Sequence, residues 1–176
     1  MVIKKNKLTI CLFNSTKSWG GGEYWHYLHA LALQKAGYDV VVITNIDSKL
    51  FDRLKDNNKI RVVPILISKL DFINPIKLKQ LSNVFRKLNI DLIIFNDSTD
   101  VKIGSVAAKW AGISKIIYRR GLANIIKKSF VNKYIYNKII TGFIANSQET
   151  KKTIITNYPE INDKIKVIYD GFPLND

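Results

Sequence analysis

Short apolar runs alternate with segments of helical periodicity along the whole chain, and few folds accommodate that order. The runs occupy residues 8–14, 40–44, 60–67, 90–95, 115–118, 142–145 and 164–169. Residues 40–44 read Val-Val-Val-Ile-Thr, the unbroken β-branched pattern of a strand buried on both faces of a parallel sheet. Pro64 lacks the amide that a ladder needs, which places its run at or near a sheet edge. Between the runs, Tyr24, Tyr27, Leu28, Leu31 and Ala32 share one helical face, closed by Gly37 as a C-terminal cap. Asn74-Pro75 opens a second helix with Leu78, Leu81, Val84, Phe85 and Leu88 as its buried stripe. The polar cluster from Asn96 to Asp100 caps a third, with Ile103, Val106, Ala107, Trp110 and Ala111 inward and Gly112 at its end. A short helical piece is expected around residues 50–55, and another from the Asn146-Ser147 cap to about Tyr158-Pro159. Residues 125–140 are helix-like, but Lys127 and Lys138 project on nearly the same side as Val131 and Tyr134, so no clean amphipathic face results. Strand and helix in strict alternation predict an α/β fold, a doubly wound parallel sheet with helices on both faces.

The first strand-to-helix turn carries Trp19-Gly20-Gly21-Gly22-Glu23. Glycines there admit positive φ and let a ligand approach the peptide N–H groups closely. The start of the helix behind them favours an anionic or polyhydroxylated ligand. One glycine serves a tight turn; three exceed what a turn needs, and a ligand role is expected. The loop matches neither well-known phosphate loop. The third glycine of a dinucleotide fingerprint is replaced by Tyr24 or Trp25, and Gly22 is followed by Glu23 where a P-loop needs Gly-Lys-Ser/Thr. Glu23 fits either a simple helix-start charge or a partner for sugar hydroxyls.

In such a sheet, ligands bind beyond the carboxyl ends of the strands, near the switch in strand order. Three polar loops belong there: the glycine loop, the loop holding Asn96 and Asp97, and the turn holding Arg119 and Arg120. His26 and His29, on the first helix, are expected to pack or to face solvent.

With 176 residues, 47% of them hydrophobic and 24% charged, and with no linker, repeat or low-complexity tract, residues 1–176 are expected to form one domain. No apolar run reaches the roughly 18 residues of a membrane span, and the opening residues 1–7 lead into a strand instead of an apolar leader, so the cytosol is the expected compartment. Cys11, the single cysteine, lies in the first apolar run and is expected to be a buried, unreactive thiol. The net charge is +14. Residues 101–148 contain no Asp or Glu but hold Lys102, Lys109, Lys115, Arg119, Arg120, Lys127, Lys128, Lys133 and Lys138. Mixed with Phe130, Tyr134 and Tyr136, these charges suit an anionic membrane surface. A nucleic-acid partner is not expected, because no helix-turn-helix, zinc or aromatic RNA-binding signature accompanies the charge. No clustered metal ligands stand out, and no metal is expected.

The glycine loop with Glu23, the helix ending in Ala36-Gly37-Tyr38-Asp39-Val40, Ile144-Ala145-Asn146-Ser147, and Lys166-Val167-Ile168-Tyr169-Asp170-Gly171 together resemble the N-terminal half of family 4 glycosyltransferases. The resemblance implies a GT-B fold, in which two Rossmann-like domains face a cleft. The N-terminal one mainly holds the acceptor and the C-terminal one the sugar-nucleotide donor. It implies that this chain is the acceptor-side domain, with the donor-binding domain beyond Asp176. It further implies a retaining transfer from a nucleotide-diphosphate sugar, without metal or cofactor, to a glycan or lipid-linked acceptor in surface polysaccharide assembly. A basic domain serving such an acceptor is expected on the inner face of the cytoplasmic membrane. Gly20, Gly21, Gly22, Glu23, Asn96, Asp97, Arg119 and Arg120 become candidate contacts to the donor diphosphate and the acceptor, while the catalytic residues stay unassigned. Many family members place a histidine after the fifth strand, where this chain has Arg120. An arginine there cannot serve as a base but can hold a phosphate or carboxylate. The alternative is a nucleotide- or sugar-binding domain without catalysis.

Overall fold

Seven strands and six α-helices follow one another in the computed structural model, which describes residues 7–68 and 70–171. The opening residues 1–6 and the last residues 172–176, on which the leader and the continuation beyond Asp176 were read, lie outside these. The strands are β1 (Thr9–Asn14), β2 (Asp39–Asn45), β3 (Arg61–Ile65), β4 (Leu92–Phe95), β5 (Lys115–Arg120), β6 (Gly142–Ala145) and β7 (Ile165–Val167). The helices are α1 (Gly21–Lys35), α2 (Lys49–Leu54), α3 (Pro75–Lys87), α4 (Ser98–Ala111), α5 (Phe130–Lys138) and α6 (Gln148–Ile155). All strands are parallel, in the order β3-β2-β1-β4-β5-β6-β7. β1 is an interior strand, with Ile10 opposite Val40 on one side and Leu92 on the other, and every residue of it is buried. β3 is an edge strand, as Pro64 requires.

Alternation along each strand divides the core in two. Cys11, Phe13, Val41, Ile93, Phe95, Ile116 and Phe143 meet Leu78, Phe85, Val101, Ile135 and Ile154 from α3, α4, α5 and α6. On the other face Leu12, Val40, Val42 and Ile94 meet Ala30 from α1 and Leu50 and Leu54 from α2. The winding is therefore double but uneven, two helices against four. Ile117 and Ile144, on the two-helix side of β5 and β6, stay half-buried, and Lys166 of β7 is exposed. Cys11 is fully buried, and that burial pushes its thiol pKa far up, in keeping with an inert side chain.

The caps follow the sequence. Asn74 accepts from the amides of Ile76 and Lys77 at 3.0 and 3.2 Å, and Gly37 and Gly112 take positive φ at 96° and 87° behind α1 and α4. Several boundaries differ. α1 begins at Gly21, ahead of Tyr24, and α6 stops at Ile155, before a 3-10 turn over Pro159–Lys164. Trp110, expected to face inward, is 44% exposed. Only Phe130–Lys138 of residues 125–140 is helical. Ser129 caps α5 by accepting the Asn132 amide at 3.1 Å, and Lys164 Nζ donates to the carbonyls of Tyr136, Asn137 and Ile140 at its other end. No helix among the described residues is long and apolar enough to cross a membrane.

Candidate functional site

The order of strands reverses between β1 and β4: the chain leaves β1 toward one face through α1 and leaves β4 toward the other through α4. Beyond these carboxyl ends lies a cleft of about 440 Å³. Its wall includes Gly21, Gly22 and Glu23 after β1, Asn96 and Asp97 after β4, and Arg119 and Gly121 at the end of β5. The three loops singled out in the sequence thus meet. A fourth contributor is Asp170-Gly171, after β7, and α1 adds Tyr24, Trp25, Leu28 and His29.

Gly20 is the N-cap of α1 and offers no side-chain cap; the first helical bond runs from the Tyr24 amide to the Gly20 carbonyl at 3.0 Å. The amides of Gly21, Gly22 and Glu23 precede that ladder, at the positive end of the helix. None of the three glycines has positive φ, contrary to one expected use of the loop. Their use is room: a Cβ on Gly22 would collide with the Asn96 amide, whereas one on Gly21 would meet nothing within 4 Å. Gly20 does not line the cleft. Glu23 is more than a solvated helix-start charge. It is 8% exposed, and its Oε1 accepts from Asn14 Nδ2 at 3.0 Å.

Asp97 caps α4, its Oδ1 accepting the Thr99 amide at 2.7 Å. One turn on, Asp100 is fully buried and accepts both the Ser15 amide, at 2.9 Å, and the Ser15 hydroxyl, which ties the loop after β1 to α4. Burial pushes its carboxyl pKa up to about 7, against the pull of the Ser15 bonds.

Neighbouring positions on β5 point to opposite faces, and this separates the two arginines. Arg119, 4% exposed, faces the cleft. Its Nη1 donates to Asn96 Oδ1 at 3.0 Å, its Nη2 to Asp170 Oδ2 at 2.6 Å, and its guanidinium lies 4.9 Å from the centre of the Trp25 ring. Arg120 turns away. It donates to Tyr118 Oη at 3.0 Å and to the carbonyls of Leu122 and Asn124 at 3.4 and 2.8 Å, and so holds the chain after β5 instead of lining the cleft.

The histidines differ as well. His26 is a core residue whose Nδ1–H donates to the Gly22 carbonyl at 3.0 Å, and burial brings its pKa down to about 4. His29 stacks on Trp25 at 3.8 Å, donates from Nδ1 to the Trp25 carbonyl at 2.8 Å and lines the cleft, its pKa also lowered by burial. Trp25, His29 and Asp170 were not among the residues expected here. The i, i+4 spacing of Trp25 and His29 behind the glycines, and the place of Asp170 after the last strand, were the available signals. Among the described residues no three potential metal-ligating side chains cluster.

Comparison with known proteins bears on the fold and the family. The family model for Glycosyltransferase Family 4 matches residues 19–176. No curated protein sequence matches the chain. Among solved structures, a glycosyltransferase from Rickettsia africae is similar over 94% of this chain and 44% of its own, at 21% identity and a TM-score of 0.73. Anabaena Alr3699/HepE, in complex with UDP and glucose, is similar over 94% of this chain and 45% of its own, at 21% identity and a TM-score of 0.71. The lipopolysaccharide outer core galactosyltransferase WaaB is similar over 96% and 47%, at 15% identity and a TM-score of 0.70. This chain spans less than half the length of each. The architecture is the Rossmann-like half of a GT-B fold, and the chain belongs to Glycosyltransferase Family 4.

Proposed function

We propose that this chain is the N-terminal, acceptor-side domain of a retaining glycosyltransferase. The enzyme moves a sugar from a nucleotide-diphosphate donor to a glycan or lipid-linked acceptor in surface polysaccharide synthesis. The observation that carries the proposal is the cleft at the strand-order switch, which combines the elements such a transfer needs. The N-terminal amides of α1 and the Arg119 guanidinium offer positive potential to phosphate oxygens. Glu23, Asn96 and Asp97 offer acceptors for sugar hydroxyls, and Tyr24, Trp25 and Leu28 form an apolar wall for the C–H face of a sugar ring. In this role the domain does not break the donor bond alone; it holds the acceptor hydroxyl against the face of the anomeric carbon that the diphosphate leaves, as retention requires, and stabilises negative charge as it gathers on the diphosphate. HepE, found with UDP and glucose, supports a donor of this chemistry.

On this reading residues 1–176 are one domain whose donor-binding counterpart follows Asp176, with no metal or cofactor in the reaction. The protein then sits in the cytoplasm, at the inner face of the membrane, where exposed lysines of the basic span 101–148 meet anionic lipid. The full-length protein, incubated with a panel of nucleotide sugars and a lipid-linked acceptor extract, should release nucleoside diphosphate with one donor and only when acceptor is present. Saturable donor binding without release under any pairing would favour the non-catalytic binding domain instead.

A further inference from the structure

We infer that Asp170 is a replaceable counter-ion: it holds the Arg119 guanidinium until an oxyanion of the ligand takes its place, and occupancy of the cleft then frees the segment behind β7. The inference rests on the proposed transfer only in supplying a ligand with a phosphate or carboxylate group.

The arginine is the fixed partner. Its guanidinium is enclosed by Trp25 at 4.9 Å, by the Asn96 oxygen at 3.0 Å and by Gly121, where a Cβ would collide with it. Its Nε has no partner among the described residues, so the fork is not saturated. A charge this deeply buried requires an anion beside it, and Asp170 supplies one at 2.6 Å. The aspartate is the loosely held partner. Its side chain is 28% exposed, its other bond is to Asn146 Nδ2 at 3.4 Å, and it stands beyond the end of β7. The backbone there is tied by the Ile168 amide to the Ala145 carbonyl at 2.9 Å.

The α1 amides lie in the same cleft, so an incoming oxyanion finds backbone donors near Arg119 that offset the Glu23 and Asp97 carboxylates on the same wall. It then competes with Asp170 for the same Nη. Two anions on one guanidinium repel, and the exposed, weakly anchored one leaves. Because such coupling is reciprocal, weakening the hold of Asp170 on Arg119 must tighten anion binding.

The test uses the full-length protein and its Asp170→Asn variant, which keeps the shape and an accepting oxygen but not the charge. Calorimetric titration with inorganic pyrophosphate, and separately with glucuronate, distinguishes a phosphate ligand from a carboxylate one. At least one of them should bind the variant about tenfold more tightly than the native protein. Hydrogen exchange in residues 165–171 of the native protein should quicken when that anion is added. Equal affinities of both proteins for both anions, or exchange unchanged at saturation, overturns the inference. The exchange measurement needs no variant and decides the matter even if Asp170→Asn fails to fold. Turnover is a separate readout. Tighter anion binding by the variant with no sugar transfer by the native protein leaves the counter-ion role standing and removes the transferase reading, while native transfer without the gain in the variant does the reverse.

Discussion

At the scale of single residues, the neighbours Gly21 and Gly22 serve different ends. A methyl on Gly21 enters open space, so Gly21→Ala should stabilise the domain by about 0.5–1 kcal/mol through the unfolded chain. Gly22→Ala drives the Asn96 amide away from Arg119 and should destabilise it by about 1 kcal/mol or more; thermal melts of the two variants check both signs. In the full-length enzyme Gly21→Val should fold normally yet lose turnover about tenfold or more, because its side chain occupies the cleft. Asp100 gives a pH prediction. Its carboxyl, ordinarily titrating at 3.8, is raised to about 7, so over that window the folded state keeps a proton the unfolded chain has lost, and stability falls as pH rises. His26, lowered from 6.5 to about 4, acts in the opposite sense and loses stability as pH falls through the same region. The native profile mixes the two. The advantage of Asp100→Asn over the native chain should instead grow from about pH 4 to about pH 7 and then level off; urea midpoints across that range measure it, and a flat difference would mean an ordinary carboxylate. Which arginine faces the cleft was not legible, because a one-residue uncertainty in where β5 lies exchanges Arg119 and Arg120.

At the scale of elements, the strands were legible because burial on both faces of a parallel sheet imprints an unbroken apolar run, and the edge strand because proline cannot donate. Residues 121–129 were not. Two of their carbonyls are held by distant groups, Ile126 by Asn157 Nδ2 at 2.8 Å and Lys127 by Tyr158 Oη at 3.0 Å, and no local pattern announces such partners. The same contacts explain the irregular periodicity ahead of α5. Fixed at both ends, α5 buries Ile135 and Tyr136 while Phe130 stays 88% and Tyr134 56% exposed, beside the exposed Lys127, Lys128 and Lys133. Aromatic groups and lysines fixed outward in this way should bring the domain to anionic bilayers, each lysine near the surface contributing about 1 kcal/mol. Attraction of that kind decays over about 8 Å at physiological salt, so only charges grouped like these count. Co-sedimentation with liposomes should show the native protein on anionic but not neutral vesicles, and a Lys127→Glu, Lys128→Glu, Lys133→Glu variant on neither. Equal binding of both proteins would reduce the charge to a solubility feature.

At the scale of the molecule, the chain covers 44% of the Rickettsia africae glycosyltransferase it resembles in fold, and the main donor contacts of the proposed reaction belong to a second domain. Residues 1–176 alone should therefore melt cooperatively yet transfer no sugar; measurable turnover of a nucleotide sugar by this piece, free of contaminating enzyme, would place a complete active site within it. The position of β1 has a separate consequence, for synthesis. Its first partner, β2, follows closely, so β1, β2 and β3 can pair as soon as they leave the ribosome. The opposite edge of β1 waits for Leu92 to Phe95, roughly thirty residues after β3 and a few seconds at ordinary rates of translation. Throughout that pause the nascent chain presents an open strand whose every side chain is destined for the interior, available to any other unpaired edge. The tempo at which the ribosome crosses from β3 to β4 thus bears on how much of the protein matures and how much aggregates.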